Sequence, residues 1–111
     1  MNTCKFGVPG SLIASYIEDA SVPCTNEGEA MAMAAGAWLV GVPATVYMQN
    51  SGLGDCIDAI TSLYRPYGIP LPSLILGIRS SPEHHRAMGV ITQPILDLFG
   101  WIPTLAIRET P

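Results

Sequence analysis

Charge is scarce in this sequence. Of its 111 residues, 13% are Asp, Glu, Lys or Arg, against about 25% in a typical soluble domain. Hydrophobic residues make up 49%. That balance excludes intrinsic disorder, which needs low hydrophobicity and high charge. It also argues against a solitary, well-solvated monomer. A small domain has a large surface for its volume, and five basic plus nine acidic residues cover little of it. Some apolar surface must face lipid, a partner chain or a second copy.

Positive charge is the rarer sign. Lys5, Arg65, Arg79, Arg86 and Arg108 are scattered, and the formal net charge is −4. No basic patch exists to neutralise a run of phosphates, which excludes nucleic acid as the expected partner. Cysteine is sparse too. Cys4, Cys24 and Cys56 form no CxxC and have no His at zinc spacing, so no metal site is expected. An odd number of widely spaced cysteines reads as reduced, cytoplasmic thiols. The opening MNTCKFGVPG lacks a charged region leading into an apolar stretch, so no signal peptide is expected.

One uncharged run, the nineteen residues Ala30 to Met48, is long enough to be tested as a membrane span. Gly41-Val42-Pro43 is turn chemistry in its middle. The composition then switches from Ala and Met to Val, Thr and Tyr, from helix formers to strand formers. No Lys or Arg flanks either end. The run therefore reads as a buried helix, a turn and a buried strand, and no membrane partner is expected.

What is present is alternation. Cys4 to Gly7 reads as a short strand, and Ser11 as the cap of a helix with Leu12, Ile13, Tyr16, Ile17 and Ala20 on its apolar face. A second short strand covers Ser21 to Thr25. Asn26 caps a helix to about Val40, with Glu29 completing a capping box. From Ala30 on this helix has no polar face, which predicts burial on all sides. Val42 to Gln49 reads as a central strand, Asn50 to Gly54 as a loop and Asp55 to Leu63 as a helix. Leu71 to Ile78 is another strand, and Arg79 to Arg86 a polar loop. Thr92 caps a helix from Gln93 to Phe99 with Pro94 in its first turn. Trp101 to Ile107 is the last strand. The order predicts an α/β domain: three layers, a mostly parallel sheet with helices on both faces. Ligands of such sheets bind in the loops at the carboxyl ends of strands. Here these loops are Val8–Ser11, Thr25–Glu29, Gln49–Gly54 and Arg79–Arg86.

Several residues in those loops can carry chemistry. Glu27 opens a helix, where the N-terminus stabilises a carboxylate. It either serves the helix dipole or, once covered by a partner, exchanges protons with a raised pKa. Gly52-Leu53-Gly54 lies between strand and helix like a phosphate loop, but Ile57 stands where a third glycine belongs, and a tight turn fits as well. His84, His85 and Arg86 with Glu83 read as a solvated loop or as a contact for an anionic substrate. Nothing local marks Cys24 as a nucleophile, and Cys4 and Cys56 read as small core residues.

Together the loops resemble a known family. Phe6-Gly7-Val8-Pro9-Gly10-Ser11-Leu12, Thr25-Asn26-Glu27-Gly28-Glu29-Ala30 with Ala35-Gly36-Ala37, and Met48-Gln49-Asn50-Ser51-Gly52-Leu53-Gly54 follow in order. Thr61-Ser62-Leu63, Tyr67-Gly68-Ile69-Pro70 and His85-Arg86-Ala87-Met88-Gly89 continue the pattern. The chain resembles the pyrimidine-binding (PYR) domain of thiamine-diphosphate-dependent decarboxylases, nearest phosphonopyruvate decarboxylase and the sulfopyruvate decarboxylase alpha subunit. The resemblance implies one PYR-type domain over residues 1–111, in a small or truncated version of that fold. It implies that Glu27 hydrogen-bonds the pyrimidine nitrogen of thiamine diphosphate and promotes deprotonation of the thiazolium carbon, the cofactor supplying the difficult chemistry. Pro9, Gly10, Gln49, Asn50, Ser51 and Gly52 would line the cofactor cleft, and His85 and Arg86 would approach a small anionic 2-oxo acid.

The departures from the family pattern carry information as well. Gly10 stands where phosphonopyruvate enzymes carry an acid, and Asp55 and Asp58 stand where relatives often have Asn. The loop before His85 is short, and the helix that precedes the first strand is not seen. The diphosphate-binding (PP) half, with its Gly-Asp-Gly and downstream Asn for Mg²⁺, has no counterpart in the sequence. Diphosphate and metal are therefore expected on a PP-domain beta subunit, in a homo- or hetero-oligomer that is inactive without it. The alternative is a non-catalytic, self-associating scaffold or regulator that has kept the fold.

Overall fold

The computed structural model describes residues 3–17, 21–81 and 83–109. Five strands form one sheet: β1 (Cys4–Gly7), β2 (Val22–Pro23), β3 (Ala44–Gln49), β4 (Ser73–Ile78) and β5 (Leu105–Arg108). Their order is β2-β1-β3-β4-β5, and every pair is parallel. Three α-helices join them: α1 (Glu27–Leu39), α2 (Leu53–Ala59) and α3 (Glu83–Phe99). The expected parallel α/β architecture is present.

Strand alternation divides the core in two. Phe6, Val46, Met48, Leu74, Leu76 and Ile78 point to one face and pack with Ala30, Met31, Ala34 and Ala35 of α1, Leu53 and Cys56 of α2, and Leu96 of α3. Tyr47 and Ile75 point to the other face, where Ile13 covers them and Ile17 and Ile107 pack alongside. Such two-sided burial is why β3 and β4 read as continuous apolar runs. All three α-helices contribute to the first core. The second is covered by the crossover from β1 to β2, which passes close over β4. A Cβ on Gly77 would stand 3.1 Å from Ile13 Cγ2 and 3.3 Å from Leu12 Cβ.

That crossover corrects one expectation. In the described part of the crossover a single 3-10 turn, Ala14–Tyr16, stands where an α-helix capped by Ser11 was expected. Its bonds close on the third residue back: Tyr16 N–H to Ile13 and Ile17 N–H to Ala14. Ile17 is already extended, with φ −95° and ψ 122°, and this stops the winding. Ala20, placed on the same helix, lies outside the described residues. The second strand shrinks to Val22–Pro23, although Cys24 N–H still reaches Gly7 O at 2.7 Å.

Helix α1 is buried on one side only. Ala30, Met31, Ala34 and Ala35 face the sheet, while Met33, Trp38, Leu39 and Val40 are exposed, Val40 by 77%. Ala and Met pattern alone cannot say how many layers cover a helix. The helix ends at Leu39, and Gly41 turns the chain with φ +82° before β3 begins at Ala44. The uncharged run is thus helix, turn and strand. Among the described residues no helix is long and apolar enough to cross a membrane.

Further boundaries move. Helix α2 starts at Leu53 and runs on into a π-helical turn, Ile60–Tyr64, closed by Arg65 N–H on Ile60 O. The turn seats the Tyr64 hydroxyl on Met31 O at 2.7 Å, which ties α2 to α1. Helix α3 begins at Glu83 rather than Gln93, so His84 to Arg86 are helical and Thr92 and Pro94 are internal. Thr92 is no cap: its hydroxyl donates to Met88 O and accepts from Asn50 Nδ2 at 2.9 Å. Pro94 resembles a first-turn proline in sequence, but packing of the preceding turns over Asn50 carries the helix through it. Trp101 precedes the last strand instead of opening it, buried with its indole N–H on Pro72 O.

Candidate functional site

The sheet order creates a crevice. The connection after β1 leaves to one side, towards β2, and the connection after β3 leaves to the other, towards β4. Chains diverge between the carboxyl ends of β1 and β3, the place where open α/β sheets bind ligands. Val8-Pro9-Gly10 lies on one bank, its Val8 N–H held by Tyr47 O at 3.2 Å, and Gln49-Asn50-Ser51-Gly52 on the other. The 3-10 turn Asn50–Gly52 leads directly into α2.

Glu27 is the first residue of α1, and three bonds fix its position. Asn26 Oδ1 accepts from Glu29 N–H at 2.8 Å, and Glu29 Oε1 accepts from Thr25 N–H at 3.1 Å, the capping box expected from the sequence. Asp55 Oδ2 accepts from Gly28 N–H at 2.9 Å, a bond between α2 and α1 that the sequence does not announce. The half-buried Glu27 side chain runs across Gly52. A Cβ there would stand 2.4 Å from Glu27 Cγ and 2.5 Å from Cδ and Oε2. Gly52 is therefore required by the carboxylate beside it. Gly54 has open space around it and cradles nothing. Among the described residues no hydrogen bond reaches the Glu27 carboxylate.

Cys56 lies just beneath. Burial first, then the charges of Glu27 and Asp55, push its thiol up to about 12. It stays a thiol, donating to Gly52 O at 3.4 Å, and fills the core as expected. Burial likewise raises the Cys24 thiol, aided by the Glu29 charge, which argues against a nucleophile there.

The remaining site residues divide. Gln49 stands beside Gly10: a Cβ on Gly10 would lie 3.8 Å from Gln49 Cβ, so the position has room for a side chain. Gln49 Nε2 donates to Ser51 Oγ at 3.0 Å. Pro9 is exposed at the rim. Asn50 is fully buried and turned inwards. Its Oδ1 accepts from Arg79 N–H at 3.1 Å, and its Nδ2 donates to Arg79 O at 3.0 Å and to Thr92. Its amide thus braces β3 against β4 and α3. His85 and Arg86 sit in the first turn of α3. Arg86 pairs with Glu83 at 2.9 Å on the open side of the helix, and His85 stacks on His84 with centroids 4.0 Å apart. Neither bonds to the Glu27–Gly52–Gln49 group among the described residues. No group of three or more His, Cys, Asp or Glu among those residues is placed to hold a metal ion.

Arg79, Ser11 and Glu109 adjoin this group; Arg79 and Ser11 lie in loops picked out from the sequence, but none of the three was assigned a role there. Arg79 Nε donates to Gln49 Oε1 at 3.2 Å, its NH2 reaches Ser11 Oγ, and its NH1 pairs with Glu109 Oε2 at 3.5 Å. Glu109 Oε1 accepts from Ser80 N–H at 2.7 Å and Ser81 N–H at 2.8 Å, and from both hydroxyls. The Ser80 N–H first, then the Ser81 donors, hold the Glu109 carboxyl down at about 2, against desolvation. The signal for Arg79 was its place just past an apolar strand, at the start of the Arg79–Arg86 loop.

Comparison with known proteins gives the following. The chain is 42% identical over 108 residues to phosphonopyruvate decarboxylase of Streptomyces viridochromogenes, covering 86% of this chain and 27% of that protein. It is 43% identical over 78 residues to the sulfopyruvate decarboxylase alpha subunit of Methanothermobacter thermautotrophicus, covering 68% of this chain and 47% of that one. With the same subunit of Methanocaldococcus jannaschii it is 48% identical over 50 residues, 45% of this chain and 30% of that one. The chain thus spans only about a quarter to a half of the length of these relatives. No protein-family model matches it.

Proposed function

We propose that this chain, a homologue of phosphonopyruvate decarboxylase and of the sulfopyruvate decarboxylase alpha subunit, is the pyrimidine-binding half of a thiamine-diphosphate-dependent decarboxylase of anionic 2-oxo acids. The observation that carries this reading is the Glu27 carboxylate: at the switch-point crevice, laid over Gly52, its backbone fixed by Asn26, Glu29 and Asp55.

The donor set fits the ring half of that cofactor. Glu27 offers an acceptor that no neighbouring donor among the described residues engages, suited to hold or move one proton at a ring nitrogen. Gln49 and the turn Asn50–Gly52 shape the adjacent bank. In this reading the diphosphate and its Mg²⁺ are assigned to a PP-type domain on a partner chain. When bound, thiamine diphosphate supplies the electron sink for the bonding pair left behind as CO2 departs. The protein's part is to orient Glu27 and to exclude water around it. The exposed apolar side of α1 supports an assembly rather than a monomer.

The test is reconstitution. This chain, a PP-type chain and their mixture are each given thiamine diphosphate, Mg²⁺ and 3-phosphonopyruvate or 3-sulfopyruvate, and CO2 release is measured. Only the mixture is expected to turn over. Calorimetry showing no thiamine diphosphate binding in any combination overturns the reading in favour of a non-catalytic scaffold.

Gly52→Ala provides a sharper check. Its new methyl group meets the Glu27 side chain, which can swing away, so the fold survives while the carboxylate moves. The expected result is an unchanged circular-dichroism spectrum with activity of the mixture down by about tenfold to a hundredfold. Full activity would separate Glu27's placement from the chemistry.

A further inference from the structure

We propose that Arg79 is the residue through which this chain recognises the anionic end of its substrate, a phosphonate or sulfonate, and that Glu109 is the internal counter-anion which this group displaces. The inference rests on the proposed decarboxylase reading for the identity of the substrate, and on geometry for the site.

Arg79 follows β4, yet its guanidinium is tied to both banks of the crevice. It reaches Ser11, next to Gly10, on one side and Gln49 on the other. Arg86, the basic residue expected to meet the substrate, is instead exposed on α3 and paired within its own turn. The Arg79 backbone is clamped at both its N–H and its C=O by the buried amide of Asn50, so the side chain starts from a fixed point. A guanidinium held this way presents a preorganised fork for a tetrahedral oxyanion.

Its present anion is Glu109, at 3.5 Å, and this is the loosest of the three contacts. The other oxygen of Glu109 is held by Ser80 and Ser81, independently of Arg79. Glu109 can therefore release Arg79 without leaving its seat. An incoming oxyanion replaces one carboxylate oxygen at NH1 while the Nε–Gln49 bond stays. Glu109 then acts as a built-in competitor: it keeps Arg79 oriented, and it reduces the apparent affinity in proportion to the fraction of time the pair is open.

The test reads anion binding by the chain itself, so it is separable from any failure of thiamine-diphosphate chemistry. Phosphonoacetate and sulfoacetate are titrated by calorimetry and by NMR of the arginine Nε–H signals, with acetamide as the uncharged control. Saturable binding of one or both acids, not of acetamide, with movement of the Arg79 signal, is expected; the two probes tell which head group is preferred. Arg79→Gln weakens binding by about tenfold. Arg79→Lys, which keeps the charge but loses the fork, weakens it less and serves if Arg79→Gln does not fold. Glu109→Gln keeps an oxygen for Ser80 and Ser81 and tightens binding several-fold, a gain that a merely structural role would not give. No saturable binding, unchanged binding in both Arg79 variants, or weaker binding in a folded Glu109→Gln chain overturns the proposal.

Discussion

If the proposed function holds, replacing Glu27 by Gln is expected to lower the decarboxylation rate of the reconstituted complex by about 10²–10⁴-fold, the range spanned by a positioned general acid or base. Gln has nearly the same shape, so it still lies across Gly52 and still leaves the turn Asn50–Gly52 undisturbed. What it loses is the exchangeable proton at the oxygen that, in the proposed function, meets the cofactor ring. The backbone clamps from Asn26 and Asp55 do not involve the Glu27 side chain, so the crevice keeps its form. Only the interaction of a first-turn carboxylate with the helix N-terminus is lost, about 0.3–1 kcal/mol. Single-turnover measurement of CO2 release, beside thermal unfolding of the variant, checks both halves of the expectation. A complex that kept its rate would remove Glu27 from the chemistry and with it the main support for the proposed function.

Gly7→Ala has the largest expected effect on stability. Gly7 pairs with Tyr47 across β1 and β3, and the Tyr47 ring folds over it. A Cβ at Gly7 would stand 2.0 Å from the Tyr47 carbonyl oxygen and 2.5 Å from its ring. The oxygen belongs to the backbone of a central strand and accepts from Val8 N–H, so it has nowhere to go. The strands must separate, and the crevice between their ends opens with them. Overpacking of this kind costs about 3 kcal/mol, which lowers the unfolding midpoint of a domain this size by roughly 10 °C or more. Thermal denaturation followed by circular dichroism measures it. A midpoint equal to that of the wild type would mean that β1 can shift freely against β3.

The two glycines illustrate what can be read before folding. Both fall in motifs that the sequence picks out, Phe6-Gly7-Val8-Pro9-Gly10 and Gln49-Asn50-Ser51-Gly52. Neither motif tells why glycine is needed, because the neighbour that excludes a Cβ comes from another element: Tyr47 in one case and Glu27 in the other. Asn50 is similar. Its place after a strand suggests a cleft residue, whereas its amide is consumed by Arg79 and Thr92, 29 and 42 residues away. Hydrogen bonds over such separations leave no periodic trace in a sequence.

Patterns that depend on neighbours in the chain were legible. Apolar runs of strand length gave β3 and β4, and Asn26 with Glu29 gave the start of α1 through a cap that closes within one turn. Order and spacing gave the parallel sheet, and the sheet gave the ends of the strands as the site. Boundaries failed where tertiary packing outweighs local propensity. Helix α3 runs through Pro94 because its first turns pack on Asn50 and Ser80, and the described part of the β1–β2 crossover winds only a 3-10 turn, with Leu12 and Ile13 pressed against Gly77. The scarcity of charge was legible as well, but which apolar surface it leaves open was not. That depends on how many layers cover α1, and the sheet covers one side of it. By itself, then, the sequence determined the succession of strands and helices along the chain and the acid at the head of α1. The tertiary structure alone decided which side chains meet across the crevice, Glu27 over Gly52 and Arg79 between Ser11, Gln49 and Glu109, since those contacts arise only when parallel strands bring distant loops to a single edge.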